Sequence, residues 1–274
     1  MNDLNGTMIS NKVQSLASMY QARLMRSMEE VYGITMFGLR FFKYAFRPPW
    51  ELSEVRKHMD ELGAKSIPLL TVVGLIMGVI LALQSRPTLD RFGAGSFLPA
   101  MIALTIVREL GPVITALIVA GRVSSGIGAE LGSMKVTEQI DALEVSAVDP
   151  FNHLVVTRVL ACAIMMPLLT AYVDFLSIFG GYLSEVLSSN TTFQLYFSEV
   201  ISSLKFLDVI PGVGKTIVFG YIIGLIGAYQ GFNTTRGTEG VGRAATTAVV
   251  LASLNIIFVD MVIIQLTLML FGGG

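Results

Sequence analysis

Five long apolar stretches punctuate the chain. Ser66–Ser85 holds 20 residues and no charge. Phe97–Gly121 holds 25, interrupted only by the adjacent pair Arg108-Glu109. Val159–Ser184 carries one charge, Asp174, and Thr216–Thr235 is again 20 uncharged residues. Ala244–Phe271 carries only Asp260, and its length leaves room for a short turn before the span proper. About 20 mostly apolar residues cross a bilayer as a helix. The pattern therefore predicts an all-α polytopic membrane protein with five transmembrane helices.

The segments between these stretches are patterned too. Leu24, Met25, Met28, Val31 and Tyr32 recur at helical spacing, followed by Phe37, Phe41, Phe42, Tyr44 and Phe46. Arg40, Lys43 and Arg47 share a helical face. An aromatic side opposite a basic side predicts a helix lying in the membrane interface over about residues 24–47, with a soluble helix packed on a partner as the alternative. Pro48-Pro49 ends it. Leu52, Val55, Met59 and Leu62 predict a second, short amphipathic helix over residues 51–62. The expected organisation is a cytoplasmic and interfacial segment, 1–65, and a membrane domain, 66–274.

Ser124 to Pro150 is too polar to span. Ile127, Leu131 and Met134 form an apolar stripe that Ile140 and Leu143 extend, among the acids Glu130, Glu138, Asp141, Glu144 and Asp149. This predicts a cytoplasmic amphipathic helical element. Asp149-Pro150 signals the start of the next helix. Residues 185–214 predict a short helix around Phe193–Phe206, with Asn190-Thr191-Thr192 read as its polar cap rather than as a glycosylation acceptor.

Composition sharpens the class. Charged residues make up 14% of the 274, against about 25% in a soluble protein. Hydrophobic residues make up 53% and mean hydropathy is +0.68, so a soluble fold would expose broad apolar patches. A net charge of −1 implies no attraction to nucleic acid. Sorting the 19 basic residues gives orientation. Nine precede Ser66, and a cytoplasmic N-terminus also places Arg122, Lys135, Arg158, Arg236 and Arg243 inside. Only Arg86, Arg91 and Lys205 then fall outside, so the expected topology is N-in and C-out. The lone Cys162 reads as a packing residue in an apolar run, and the polar first 15 residues do not read as a cleavable signal peptide.

Catalytic chemistry is sparse. Gly212-Val213-Gly214-Lys215-Thr216 imitates a phosphate loop, but the position that needs the leading glycine holds Val209 and an apolar 20-mer follows. His58 and His153 stand in no metal-binding spacing, so no metal site and no enzyme activity are expected. Charge inside the membrane remains: Arg108, Glu109, Asp174, Lys215 and Asp260. Each costs roughly 2.5–3.5 kcal/mol at a helix centre on insertion scales, so each needs a partner or a wet cavity. Arg108 and Glu109 point about 100° apart, so they cannot pair with each other and each should meet something on another helix. We expect Arg108, Glu109, Lys215 and Asp260 to form an intramembrane polar network, with Lys215 snorkelling to the outer interface as the alternative. The pairs Gly74/Gly78, Gly220/Gly224 and Gly227/Gly231 are spaced for close helix packing, within one chain or between chains.

At the second stretch the residues resemble a known family. Arg108-Glu109-Leu110-Gly111-Pro112 leads to Ala120-Gly121-Arg122, then to Ala129-Glu130-Leu131-Gly132-Ser133-Met134-Lys135-Val136-Thr137-Glu138-Gln139-Ile140-Asp141-Ala142-Leu143 and Val148-Asp149-Pro150. Arg243-Ala244-Ala245-Thr246-Thr247-Ala248-Val249-Val250 continues the match, which covers roughly residues 30–271. This resembles the MlaE/YrbE permeases, membrane subunits of ABC transporters that work with MCE proteins. The resemblance implies a homodimer in the bacterial inner membrane. It implies docking to a cytoplasmic MlaF-like ABC ATPase, which would bind ATP and magnesium, this chain holding no cofactor. A periplasmic MlaD-like MCE ring and, in some systems, a MlaB-like STAS protein complete the partners. The implied cargo is phospholipid moved between inner and outer membranes, maintaining outer-membrane asymmetry. By the same resemblance Leu81, Thr88, Leu89 and Phe92 line the lipid cavity, and Glu130, Met134, Lys135, Glu138, Asp141 and Leu143 belong to the coupling helix, whose apolar stripe would enter a groove of the ATPase. An ATPase-independent secondary transporter using the intramembrane acids, or a membrane scaffold, are the competing readings.

Overall fold

A computed structural model describes residues 25, 28–46, 51–189, 191–235 and 237–271. The chain divides into two compact units, Met1–Arg47 and Pro48–Gly274. In the first, helix α1 covers residues 28–45. Arg40 stacks over the Tyr44 ring at 5.4 Å, and Phe41 and Phe42 meet edge to face. Val31, Tyr32, Leu39 and Phe42 are exposed. Leu24 and Arg47 lie outside the described residues.

The second unit is a helical bundle. Its elements are α2 (Leu52–Arg91), α3 (Gly95–Val136), α4 (Gln139–Val145), α5 (Phe151–Ser189), α6 (Phe193–Ser203), α7 (Phe206–Phe232) and α8 (Gly237–Phe271). The five long ones, α2, α3, α5, α7 and α8, are each long and apolar enough to cross a membrane. Every expected span is present, and the helices run past the apolar stretches that announced them. Only helices satisfy all backbone hydrogen bonds inside hydrocarbon, so continuation is the default unless a breaker intervenes.

Two boundaries differ from expectation for that reason. The short helix expected over 51–62 is the first part of α2. Pro68 removes one backbone hydrogen bond but does not interrupt the helix, and Gly63 lies against Met165 of α5. A domain boundary at residue 65 therefore falls inside a helix. Likewise α7 begins at Phe206, so Lys215 stands well within it rather than at a span edge. At the other short helix, Thr192 Oγ1 accepts from the Leu195 N–H at 3.4 Å and caps α6, while Asn190 is outside the described residues. Burial and the Glu185 carboxylate push the Tyr196 phenol of α6 above its ordinary pKa.

Glycine sets the spacing of the helices. α2 and α5 interlock reciprocally. A β-carbon at Gly78 would lie 1.7 Å from Ser177 O, and one at Gly180 would lie 2.2 Å from Leu75 O. α7 then bridges two neighbours with four of its six glycines, Gly220, Gly224, Gly227 and Gly231. Gly220 abuts Cys162 O of α5, and Gly231 abuts Leu131 and Gly128 of α3. All three glycine pairs seen in the sequence are thus used within the chain. Around this frame α5 is the most buried helix and α8 the least. Ile67, Val72, Ile76 and Ile80 of α2, and Leu254, Ile257, Phe258 and Met261 of α8, stay exposed, an apolar exterior suited to lipid.

Gly78→Ala should lower thermal stability in detergent by about 1–3 kcal/mol through overpacking against the α5 backbone. Gly242→Ala, whose β-carbon would meet nothing within 4 Å, should be neutral or gain up to about 1 kcal/mol of helix propensity. Equal melting shifts for the two would contradict this packing.

Candidate functional site

The intramembrane charges resolve into two ion-pair groups hung on α3. Lys215 Nζ donates to Glu109 Oε2 at 2.8 Å and to Asp260 Oδ1 at 3.0 Å, joining α3, α7 and α8. Its side chain is 3% exposed, against 12% for Asp260 and 42% for Glu109. An ammonium in this setting is held by its two carboxylates, not by snorkelling. Arg108, expected in the same group, turns elsewhere. Its guanidinium binds Asp208 through two nitrogens, the Nε contact being 3.0 Å. Asp208 also accepts from the Lys205 N–H at 3.0 Å and so caps α7. Asp208 escapes notice in the sequence because it precedes the apolar stretch. Its position three residues after Lys205, in the first turn of a helix, is the signal that was there to find. Asp174 stands apart: its Oδ1 is buried, lacks a hydrogen-bond partner, and rests on Gly111, where a β-carbon would lie 1.7 Å away.

A backbone irregularity splits the adjacent pair. Residues Ile106–Leu110 form a π-helical turn inside α3, as do Ala120–Ser124, and Phe151–Val156 opens α5 the same way. Each inserts a residue into the helical repeat, and such turns are frequent at functional sites. The first carries Arg108 and Glu109, the second Arg122 and the third His153.

The polar element after α3 has a defined course. α3 runs to Val136, and α4 follows, bracketed by Glu138 at φ 59° and Ala147 at φ 60°. Left-handed backbone costs an L-residue about 1–2 kcal/mol, so both joints are strained. Ile127, Leu131 and Ile140 of the expected partner-facing stripe are buried within the chain. Gly227 and Gly231 let α7 close over the first two, which is why an apolar stripe here does not face outward. Glu130 is committed as well, taking Arg158 Nη2 at 2.7 Å. Lys135 pairs with Asp141 at 2.8 Å and ties α4 back to α3. Met134 and Leu143 are half-buried, Glu138 and Asp141 are exposed, and Val145, unnoticed in the sequence, is 90% exposed.

Leu81, Thr88, Leu89 and Phe92 lie near the end of α2, at the α6 end of the bundle. Leu81 and Leu89 are half-buried, and Thr88 and Phe92 exposed. Nearby, Arg86 joins α2 to α5 through Glu185 at 2.5 Å, a pair that no local pattern announces. Between α7 and α8 lies an open, largely apolar cavity of about 490 Å³ lined by Ile210, Pro211, Gly214, Val218 and Ile263, with Lys215 at its wall.

Five apolar helices closed around buried ion pairs define a multi-pass membrane protein with a polar interior. The profile of the family described as "Permease MlaE" matches residues 55–266. A probable ABC transporter permease protein of Rickettsia typhi is 36% identical over 92% of this chain and 97% of its own length. Another, from Synechocystis, is 37% identical over 74% and 77%. The intermembrane phospholipid transport system permease protein MlaE of Haemophilus influenzae is 35% identical over 88% and 91%. The chain belongs to the MlaE permease family.

Lys215→Met leaves Glu109 and Asp260 facing each other without a counter-charge and should destabilise the protein by about 3–5 kcal/mol. Asp260→Asn keeps the Glu109 contact and should cost distinctly less. Thermal unfolding of both variants in detergent checks the order.

Proposed function

We propose that this chain is the permease subunit of an ATP-driven transporter that moves phospholipid between the inner and outer membranes, contributing to outer-membrane lipid asymmetry. The observation that carries the reading is the 35% identity to the Haemophilus phospholipid permease across 88% of the chain, a chain with five helices long and apolar enough to span. The subunit sits in the inner membrane as a homodimer. A MlaF-like ATPase binds ATP and magnesium on the cytoplasmic side, and a MlaD-like MCE ring stands on the periplasmic side. A MlaB-like STAS protein is a further partner. The basic N-terminal segment orients the chain N-in, which makes α4 cytoplasmic and α6 periplasmic.

Only an interaction that differs between two states shifts their balance. The α4 element suits such a role, being short, joined by two strained residues, and presenting Asp141, Glu144 and Val145 outward. ATPase closure displaces α4, and α3 and α5 transmit the shift to the ion-pair core. The lipid lies along Leu81, Thr88, Leu89 and Phe92 near the periplasmic end, where its apolar contacts are lost as the dimer cavity narrows.

Asp141→Lys should uncouple ATP hydrolysis from lipid movement, reducing transport at least about tenfold in proteoliposomes with the partner ATPase, while melting temperature stays near wild type. Normal transport by this variant would remove α4 from the coupling path. For orientation, the buried Cys162 leaves a quiet background. Val145→Cys should react with a membrane-impermeant maleimide only in inverted vesicles, and Leu195→Cys only in intact spheroplasts.

A further inference from the structure

At the α4 end of the bundle, α2, α3 and α5 enclose a cavity of about 360 Å³, within the range of small-ligand pockets, about 300–1,000 Å³. Arg158 lines it and is 5% exposed. Its Nη1 donates to Leu154 O at 2.8 Å and its Nη2 to Glu130 at 2.7 Å. Its Nε–H is buried without a partner. A guanidinium offers five donors in a rigid fork, and a buried donor left unmade is costly. A second guanidinium, Arg122, lines the same wall. Its hydrogen bond goes to Ser66 Oγ at 3.3 Å, and it pairs with no carboxylate among the described residues. Lys65 and His58 complete the polar lining. The facing acids, Glu61 and Glu130, are each more than half exposed, so their charge is better screened than that of buried Arg158.

The depth of the cavity identifies its ligand. Ser66 opens the first uncharged stretch, Arg122 directly follows the second, and Arg158 directly precedes the third. All three stand where hydrocarbon gives way to headgroups. The Arg122 guanidinium and the Ser66 hydroxyl in that plane, with buried Arg158 in the same lining, match a phosphate oxyanion. We propose that this cavity binds phosphate, and that its ligand is the phosphodiester of a phospholipid in the adjoining leaflet. The site is separate from the Leu81–Phe92 segment: Ser66 and Thr88 are 22 residues apart on α2, about 33 Å along the axis. Phosphate binding here would stand whether or not the chain transports lipid.

The test uses the full chain in nanodiscs containing phosphatidylglycerol with a photoreactive diazirine beside the phosphate. Crosslinks are mapped by mass spectrometry, and inorganic phosphate is titrated by calorimetry in detergent. Crosslinks should fall on residues 58–66 and 122–130. Arg122→Gln should reduce them about tenfold or more, with partial rescue by Arg122→Lys. Gly126→Leu provides a second route, because Gly126 lines the cavity and its β-carbon would meet nothing within 4 Å. It should block binding while the melting temperature is kept, and it decides the matter if Arg122→Gln fails to fold. Binding of inorganic phosphate, lost in the same variants, without lipid crosslinks would uphold the phosphate site and overturn the lipid as its source. Crosslinks confined to other residues with no phosphate binding, or binding unchanged by Gly126→Leu, would overturn the proposal.

Discussion

The architecture rests on backbone touching backbone. In hydrocarbon, apolar side chains gain nothing by leaving lipid for one another, so helices associate by close packing. Here that approach is made where particular glycines remove the β-carbon. Gly78 and Gly180 lock α2 to α5, Gly220 seats α7 on α5, and Gly231 seats it on α3. Because α7 touches both neighbours through four glycines within twelve residues, it is the keystone of the bundle. It also carries Asp208 and Lys215, so a helix held closely by two neighbours also positions the charges.

Those charges are tolerable only because that frame brings partners within reach. A lone ammonium at this depth would be a costly charge with nothing to offset it. Between Glu109 and Asp260 it is retained, and it links three helices at one point. Adjacent on the π-helical turn Ile106–Leu110 and pointing apart, Arg108 and Glu109 serve two separate pairs on α7, with Asp208 and Lys215. Removing one partner would leave buried charge behind, which makes the group a poor place for gradual change.

Much of this was legible in the sequence because hydrophobic length is a strong signal. All five spans, the short helix α6 and the link among Glu109, Lys215 and Asp260 followed from apolar runs and the cost of buried charge. Helix ends were less legible: nothing between Leu52 and Ser66 breaks a helix, and a change from polar to apolar residues does not end one. Arg108 pairs with Asp208 rather than joining the Lys215 group, and Asp208 lies before the apolar run, where a count of charges inside the spans does not reach it. The stripe of Ile127 and Leu131 looked partner-facing because periodicity shows which residues share a face, not what covers it. Glycines about 100 residues further along the chain, Gly227 and Gly231, supplied the cover.

The unbroken course of α2 has a mechanical meaning. Its 40 residues span about 60 Å, twice the thickness of the hydrocarbon core, about 30 Å. Glu51, immediately before it, grips His153 in the first turn of α5, while Arg86 near its far end grips Glu185. A tilt of about 5° at the base of such a lever moves its tip by about 5 Å over that length. Because α2 is tied to α5 at both ends and at Gly78, such a tilt carries α5 with it from one end of the bundle to the other.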